Sequence, residues 1–258
     1  MKMKRTLPPV SWATTVHFII SDKFKILFCF VPKVACTTWK DVMKRLYHNQ
    51  IGKETKKRFL KLDEIGTTPS EVIRRWRDYR KVLFVREPLS RVLSAYLNKF
   101  RYGSEKARWE RAFGAYIVKR TRTQRVKHTR PYDITFEEFI RYILHLGTNT
   151  KMNQMKDHWL PYSSFTSPCR VKYDYIGHYE TLAQDGPEIV QRLGIREIAN
   201  FPTIHNSTAM DEFRKEYANI PVDLIVRLQA YYHADYELFG YSEQAAFTEA
   251  LAGRTRTV

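Results

Sequence analysis

Apolar residues recur along this chain in two rhythms. Ile26–Val31 (ILFCFV) is apolar or aromatic at every position, the pattern of a strand covered on both faces in the middle of a parallel sheet. Pro32 ends the run. Trp39, Val42, Met43, Leu46 and Tyr47 then recur at i, i+3, i+4, i+7 and i+8, which predicts an amphipathic helix over 38–49. Thr37 or Thr38 supplies its expected N-cap hydroxyl. Upstream, Val16–Ile20 (VHFII) predicts a short strand followed by a turn at Ser21-Asp22. Lys81–Val85 (KVLFV) predicts a second inner strand beside the first. Arg86-Glu87-Pro88 turns into another helix with Pro88 at its first position. Leu89, Val92, Leu93, Tyr96, Leu97 and Phe100 form its buried stripe, and Arg91, Ser94 and Asn98 a separate polar one.

The remaining pattern is more broken. Residues 50–68 read as a basic loop with a helical turn, and Pro69 opens an arginine-rich helix. Lys106–Arg130 is so charged that it reads as an exposed loop or insertion. Thr135 and Glu138 form a capping-box pattern at the start of a helix reaching Leu146. An irregular stretch with His158-Trp159 follows, then a strand at Tyr173–Ile176 and helices near 187–193 and 208–218. A last helix runs from Pro221 to about Phe239. Strands joined by helices imply right-handed crossovers and an α/β class, a central parallel sheet flanked by helices. With neither repeats nor a Gly/Ser linker, the expectation is one domain at 16–242 between an arm at 1–15 and a tail at 243–258.

Composition narrows the function. The chain has 258 residues, and its 43% hydrophobic and 14% aromatic content excludes general disorder. A formal net charge of +17 points to a polyanionic partner: nucleic acid, an anionic membrane surface or an acidic polysaccharide. No apolar run reaches the ~18 residues of a transmembrane helix. The opening MKMKRTLPPVSWATT lacks the apolar core of a signal peptide, so any membrane anchor is expected outside this chain. Cys29, Cys36 and Cys169 are too few for a disulfide scaffold and fit no metal-ligand spacing, so no metal is expected. Asn206-Ser207-Thr208 is a glycosylation sequon.

The chemistry concentrates at two junctions. Between the Ile26–Val31 strand and the next helix, Lys33 sits beside a helix N-terminus, where unpaired N–H groups and the positive end of the macrodipole favour an oxyanion. PKVACTTWK carries no glycine and is no Walker A loop, so backbone N–H groups, the Lys33 ammonium and the threonine hydroxyls must bind the anion. At the end of the second strand stands Arg86, with Arg91 and Ser94 on the following helix, a second anion site with bidentate capacity. Ligands of open α/β sheets bind outside the carboxyl ends of the strands. Both sites belong there, as a ligand with two separate anionic groups requires.

These residues carry a resemblance. Pro32–Lys40 (PKVACTTWK) and Val85–Phe100 (VREPLSRVLSAYLNKF) resemble the Golgi carbohydrate sulfotransferases, nearest to the group that sulfates chondroitin and dermatan at the 4-position and the glucuronyl epitope of neural glycans. The family's 5′-phosphosulfate loop reads PKVAC-[ST]-x-W-K and its 3′-phosphate element R-[DE]-P-x-x-R-x-x-S-A-Y-x-x-K-F. DHWLP (Asp157–Pro161), YDYIGHYETL (Tyr173–Leu182) and YYHADYELFGY (Tyr231–Tyr241) extend the likeness over roughly 16–242.

The resemblance implies a fold like that of the nucleotide kinases and 3′-phosphoadenosine 5′-phosphosulfate as donor. Lys33, Thr37, Thr38 and the backbone of Val34, Ala35 and Cys36 hold the 5′-phosphosulfate in this reading. Arg86 and Ser94 hold the 3′-phosphate, with Arg91 as helper. Lys33 and the helix N-terminus then meet the charge that grows on the leaving oxygen. His158, in the family-like DHWLP segment, is the first candidate for the general base, ahead of Asp157 and Glu64. An alternative role for His158 is packing beside Trp159.

The implied acceptor is an acidic glycan of the chondroitin or dermatan type, with no nucleic-acid partner; by its clustered charge, the basic region Lys119–Arg130 together with Arg101, Lys106 and Arg108 is the expected acceptor surface. The implied location is the Golgi. Related sequences carry C-x-x-C where this chain has Thr166-Ser167-Pro168-Cys169, so a local disulfide is missing and Cys169 is left unpaired. Two rivals stand beside this reading: a non-catalytic binder of heparin-like or nucleic-acid polyanions, and a phosphoryl-transfer enzyme. The second lacks a Walker lysine–serine pair and evident magnesium carboxylates.

Overall fold

The computed structural model describes residues 12–52, 59–64, 68–122, 131–146, 155–202 and 209–254. Most of the N-terminal arm, the sequon at Asn206 and the basic residues 123–130 lie outside the described residues. The chain forms two compact units, residues 1–86 with 162–205 and residues 87–161 with 206–258. The chain passes between the units at Arg86-Glu87, Pro161-Tyr162 and His205-Asn206, and no Gly/Ser-rich run in the sequence marks these boundaries.

The first unit is built on five strands: β1 (Phe18–Ser21), β2 (Ile26–Cys29), β3 (Leu60–Lys61), β4 (Arg80–Val85) and β5 (Tyr175–His178), in the order β3-β1-β2-β4-β5. β2, β4 and β5 are parallel, with Cys29 opposite Leu83 and Val85 opposite His178. β1 is antiparallel to both β2 and β3. β2 is therefore central, but only one of its neighbours is parallel. The turn Asp22–Lys25 is too short for a crossover, so β1 can pair with β2 only as a hairpin.

Alternation along the strands explains why β2 is apolar throughout. Phe28 and Phe84 share one face, where Trp39 packs with ring centroids 5.2 and 4.9 Å away. Phe18 stands opposite Cys29 on the other face and meets Trp76 edge-on at 4.8 Å. Trp39 belongs to the helix Cys36–Ile51, which buries the five predicted stripe residues. Trp76 belongs to the helix Pro69–Asp78, which Thr68 and Glu71 close with a reciprocal capping box. β5 begins two residues later than expected, where the Asp174 carboxylate takes the Lys81 N–H at 2.7 Å in place of a strand carbonyl.

The second unit is helical and closes around Trp159, whose ring lies 5.2 Å from Phe139, 5.4 Å from Phe113 and 5.8 Å from Trp109. Lys106–Thr121 is part of this core and not the exposed loop expected. It is helical throughout, and Trp109, Phe113 and Ile117 at i, i+4 and i+8 are buried. The dense Arg/Lys content between them occupies the outer face and masks that stripe. The Thr135–Glu138 capping box is present in both directions.

Two other expectations shift. The helix after Pro221 breaks at Tyr232 into Val222–Tyr231 and His233–Phe239, and the Tyr232 hydroxyl donates to Trp159 O. The tail begins with a helix, Glu243–Leu251, capped by Ser242 and buried at Ala246 and Ala250. Alanines make a narrow stripe with a weak pattern in sequence. No helix among the described residues is long and apolar enough to cross a membrane.

Candidate functional site

In the first unit, the chain leaves the carboxyl end of β2 through Phe30–Ala35. Val31 and Val34 are buried and pin this loop to the core. Half-buried Lys33 (φ 72°) and Ala35 (φ 58°) adopt left-handed backbone conformations that side-chain-bearing residues rarely take. Such conformations persist where their surroundings hold them, and they cluster at ligand sites. Ala35, not Thr37 or Thr38, is the N-cap of the Cys36–Ile51 helix, and no side chain caps it. The loop's curl starts the helix earlier than a hydroxyl cap would. Cys36, Thr37 and Thr38 thus form its first turn, whose N–H groups have no i−4 partner within the helix. The arrangement, a helix N-terminus with Lys33 on the loop before it, is one that suits an anion.

Arg86 directly follows β4 on the same edge. Its N–H donates to the Tyr162 hydroxyl at 2.8 Å, and that hydroxyl donates to Arg86 O at 3.1 Å. Its guanidinium lies over the Tyr179 ring, 4.1 Å from the centroid, and Nη1 donates to Lys33 O at 3.4 Å. Nε is buried without a hydrogen-bond partner among the described residues. Tyr179 directly follows β5 and donates its N–H to Val85 O at 2.8 Å. Three parallel strands thus deliver Lys33, Arg86 and Tyr179 to one edge.

The carboxylates that could have quenched Arg86 have other work. Glu87 accepts from the N–H groups of Leu89 and Ser90 and from the Tyr236 hydroxyl, while Glu71 serves its capping box. Tyr162 and Tyr179 escaped the sequence reading. Their only signal was position, just after DHWLP and within YDYIGHYETL. Tyr162→Phe removes both bonds to Arg86 and is expected to cost about 1–3 kcal/mol. A lowered urea midpoint at constant m-value would show this; an unchanged midpoint would mean the pair does not hold Arg86 in place.

In the second unit, Arg91 is almost fully buried, which departs from the expected polar stripe. Its guanidinium donates to Leu160 O at 2.8 Å and Asp157 O at 2.6 Å, so it anchors the turn that carries His158. Ser94, on the same helix, is half-buried. His158 Nδ1 lies 2.8 Å from Asp157 Oδ1 and 3.2 Å from Met155 O. That engagement occupies Nδ1 and leaves Nε2 as the ring nitrogen a base would use. Burial holds the imidazole below its ordinary pKa of 6.5, and the Asp157 carboxylate offsets this only in part. His158 is therefore neutral at physiological pH, as a base must be. Of the weaker candidates, Asp157 orients His158 and Glu64 is exposed. His17, buried, packs between Phe30 and Phe165.

The sulfotransferase-family model matches residues 16–242, which include both junctions and the His158 turn. The chain belongs to that family. It is 34% identical to carbohydrate sulfotransferase 14 of Danio rerio over 95% of this chain and 67% of that protein. The human protein of that name is 33% identical over 87% of this chain and 60% of its own length. Carbohydrate sulfotransferase 11 of Mus musculus is 31% identical over 88% of this chain and 67% of its own length. The chain thus spans roughly two thirds of these relatives. No solved structure matches it.

The chain carries three free cysteines, so Cys169 is unpaired as its sequence context suggested. Burial pushes the Cys29 thiol up to about 12, which makes it inert. Cys36 opens the helix after the lysine loop, where a small side chain suits the turn.

Proposed function

We propose that this chain is a carbohydrate O-sulfotransferase that moves a sulfuryl group from 3′-phosphoadenosine 5′-phosphosulfate to a hydroxyl of an acidic glycan, of the chondroitin or dermatan type. The observation that carries this reading is the meeting of the Lys33 loop and the Arg86 guanidinium at one sheet edge. The backbone from Val34 to Cys36 and the first-turn residues Thr37 and Thr38 take the 5′-phosphosulfate, with Lys33 beside its bridging oxygen. The Arg86 guanidinium, braced over the Tyr179 ring, suits the 3′-phosphate. Ser94 joins as a phosphate ligand on its sequence spacing from Arg86.

The acceptor oxygen forms its bond to sulfur as the bond from sulfur to the bridging phosphate oxygen breaks. That oxygen leaves with the electron pair, and the acceptor's proton passes to His158 Nε2. Lys33 and the helix N-terminus stabilise the charge that builds on the leaving oxygen. Positioning and electrostatics supply the catalysis, as in phosphoryl transfer. The net charge of +17 favours an acidic polymer as acceptor, and the family resemblance supports a Golgi location.

Donor labelled in its sulfate, incubated with desulfated chondroitin and dermatan, is expected to yield labelled polymer and 3′-phosphoadenosine 5′-phosphate. Donor bound tightly, with no label in any member of a glycan panel, would leave only a binding protein.

A further inference from the structure

Two π-helical turns, Leu97–Arg101 and Glu110–Gly114, interrupt helices of the second unit. A π turn adds a residue to the α-helical register and re-aims the side chains around it, and such insertions recur at functional sites. Each turn here brings a charged residue inside: Lys99 is 7% exposed and Glu110 4%. The Lys99 ammonium lies 4.6 Å from the centre of the Trp109 ring and 3.3 Å from a Glu105 carboxylate oxygen. The His158 ring meets that same indole edge-on, with centroids 4.9 Å apart. Lys99 and His158 therefore share one aromatic platform. Burying an ammonium carries a desolvation cost that an exposed lysine avoids, and one exposed carboxylate compensates it only partly.

We propose that Lys99 is a positioning residue for His158: a buried cation, held by the π turn against the shared Trp109 ring, that disfavours a second positive charge on the imidazole. Its catalytic consequence rests on His158 being the base of the proposed reaction. The surrounding charges are consistent in sign. Asp157 favours the protonated ring, and Lys99 opposes it. Lys156 lies on the His158 turn. On the Trp109 segment, Glu105 faces Lys99, and Lys106 is paired with Glu110 at 3.7 Å and with Asp133 at 3.0 Å. Asp157 thus orients the ring for proton acceptance while Lys99 counters the protonation that this carboxylate invites.

The test uses the full chain with Lys99→Met, Lys99→Arg and Glu105→Gln. NMR titration of His158, assigned with His158→Gln, is run beside the pH profile of kcat/KM for sulfuryl transfer. Lys99→Met is expected to move both the His158 midpoint and the acid limb of the profile to higher pH. Lys99→Arg leaves both in place. Glu105→Gln removes the exposed carboxylate but keeps the ammonium, and is expected to move both to lower pH; it remains informative if Lys99→Met does not fold. A His158 midpoint unmoved in Glu105→Gln and in folded Lys99→Met overturns the proposal. Midpoints that move while the acid limb stays fixed support the electrostatic coupling and overturn His158 as the base.

Discussion

Lys33→Ala is expected to lower the turnover rate about 10²–10³-fold, or ~3–4 kcal/mol of transition-state stabilisation, with a much smaller change in donor KM. The asymmetry follows from where the charge develops. The bridging oxygen gains charge as its bond to sulfur breaks, so the ammonium matters more in the transition state than in the bound donor. Alanine is a clean replacement. Position 33 has φ 72°, and lysine and alanine both bear a Cβ there, so the left-handed strain of the loop is the same in each. Lys33→Gly would relax that strain and confuse loop geometry with loss of charge. Single-turnover rates with saturating donor make the measurement. A Lys33→Ala enzyme of normal rate would remove Lys33 from the chemistry and leave the anion to the backbone alone.

Arg86→Ala has the second large effect, on affinity. Hydrogen bonds to a charged group contribute about 1.5–3 kcal/mol each, so the variant is expected to bind 3′-phosphoadenosine 5′-phosphate roughly 10- to 100-fold more weakly. Ligand linkage gives the readout. At a concentration 100 times its Kd the bisphosphate stabilises the native protein by about 2.7 kcal/mol, and the same concentration should raise the melting temperature of Arg86→Ala far less. Arg86→Lys is not expected to restore binding. A lysine cannot reproduce the planar stack on Tyr179 together with a bidentate contact. Equal bisphosphate shifts in wild type and Arg86→Ala would move the 3′-phosphate elsewhere and leave Arg86 a structural brace for Lys33 O.

These effects fall on residues that could be read without coordinates, and the reasons are local. Strand β2 is apolar at all of its positions because Trp39 and Trp76 cover opposite faces of the sheet. The strand, the loop that leaves it and the helix stripe after it were therefore plain in the residue pattern. Pro88 behind Arg86 marked a helix start at a strand end in the same way. What stayed hidden was long-range or conformational. Tyr162 meets Arg86 from 76 positions away, and no spacing rule joins them. The left-handed turn at Ala35 replaced the expected threonine cap, since a backbone curl held by buried Val31 and Val34 leaves no signature of residue type. Arg91 looked like a polar-face residue by its charge, and only the carbonyls of Asp157 and Leu160 give it an interior place.

The sequence by itself determined the family, the parallel core pairing of β2 with β4, and the positions of Lys33 and Arg86 at strand ends. Each follows from short-range patterning, because strand burial and helix periodicity are written in neighbouring residues. The tertiary structure alone decided which groups complete those positions: Tyr179 under Arg86, Arg91 beneath the His158 turn, and Lys99 with His158 on Trp109. Those contacts join segments distant along the chain, and their energies depend on burial and on the distance between charges, which appear only once the chain has folded.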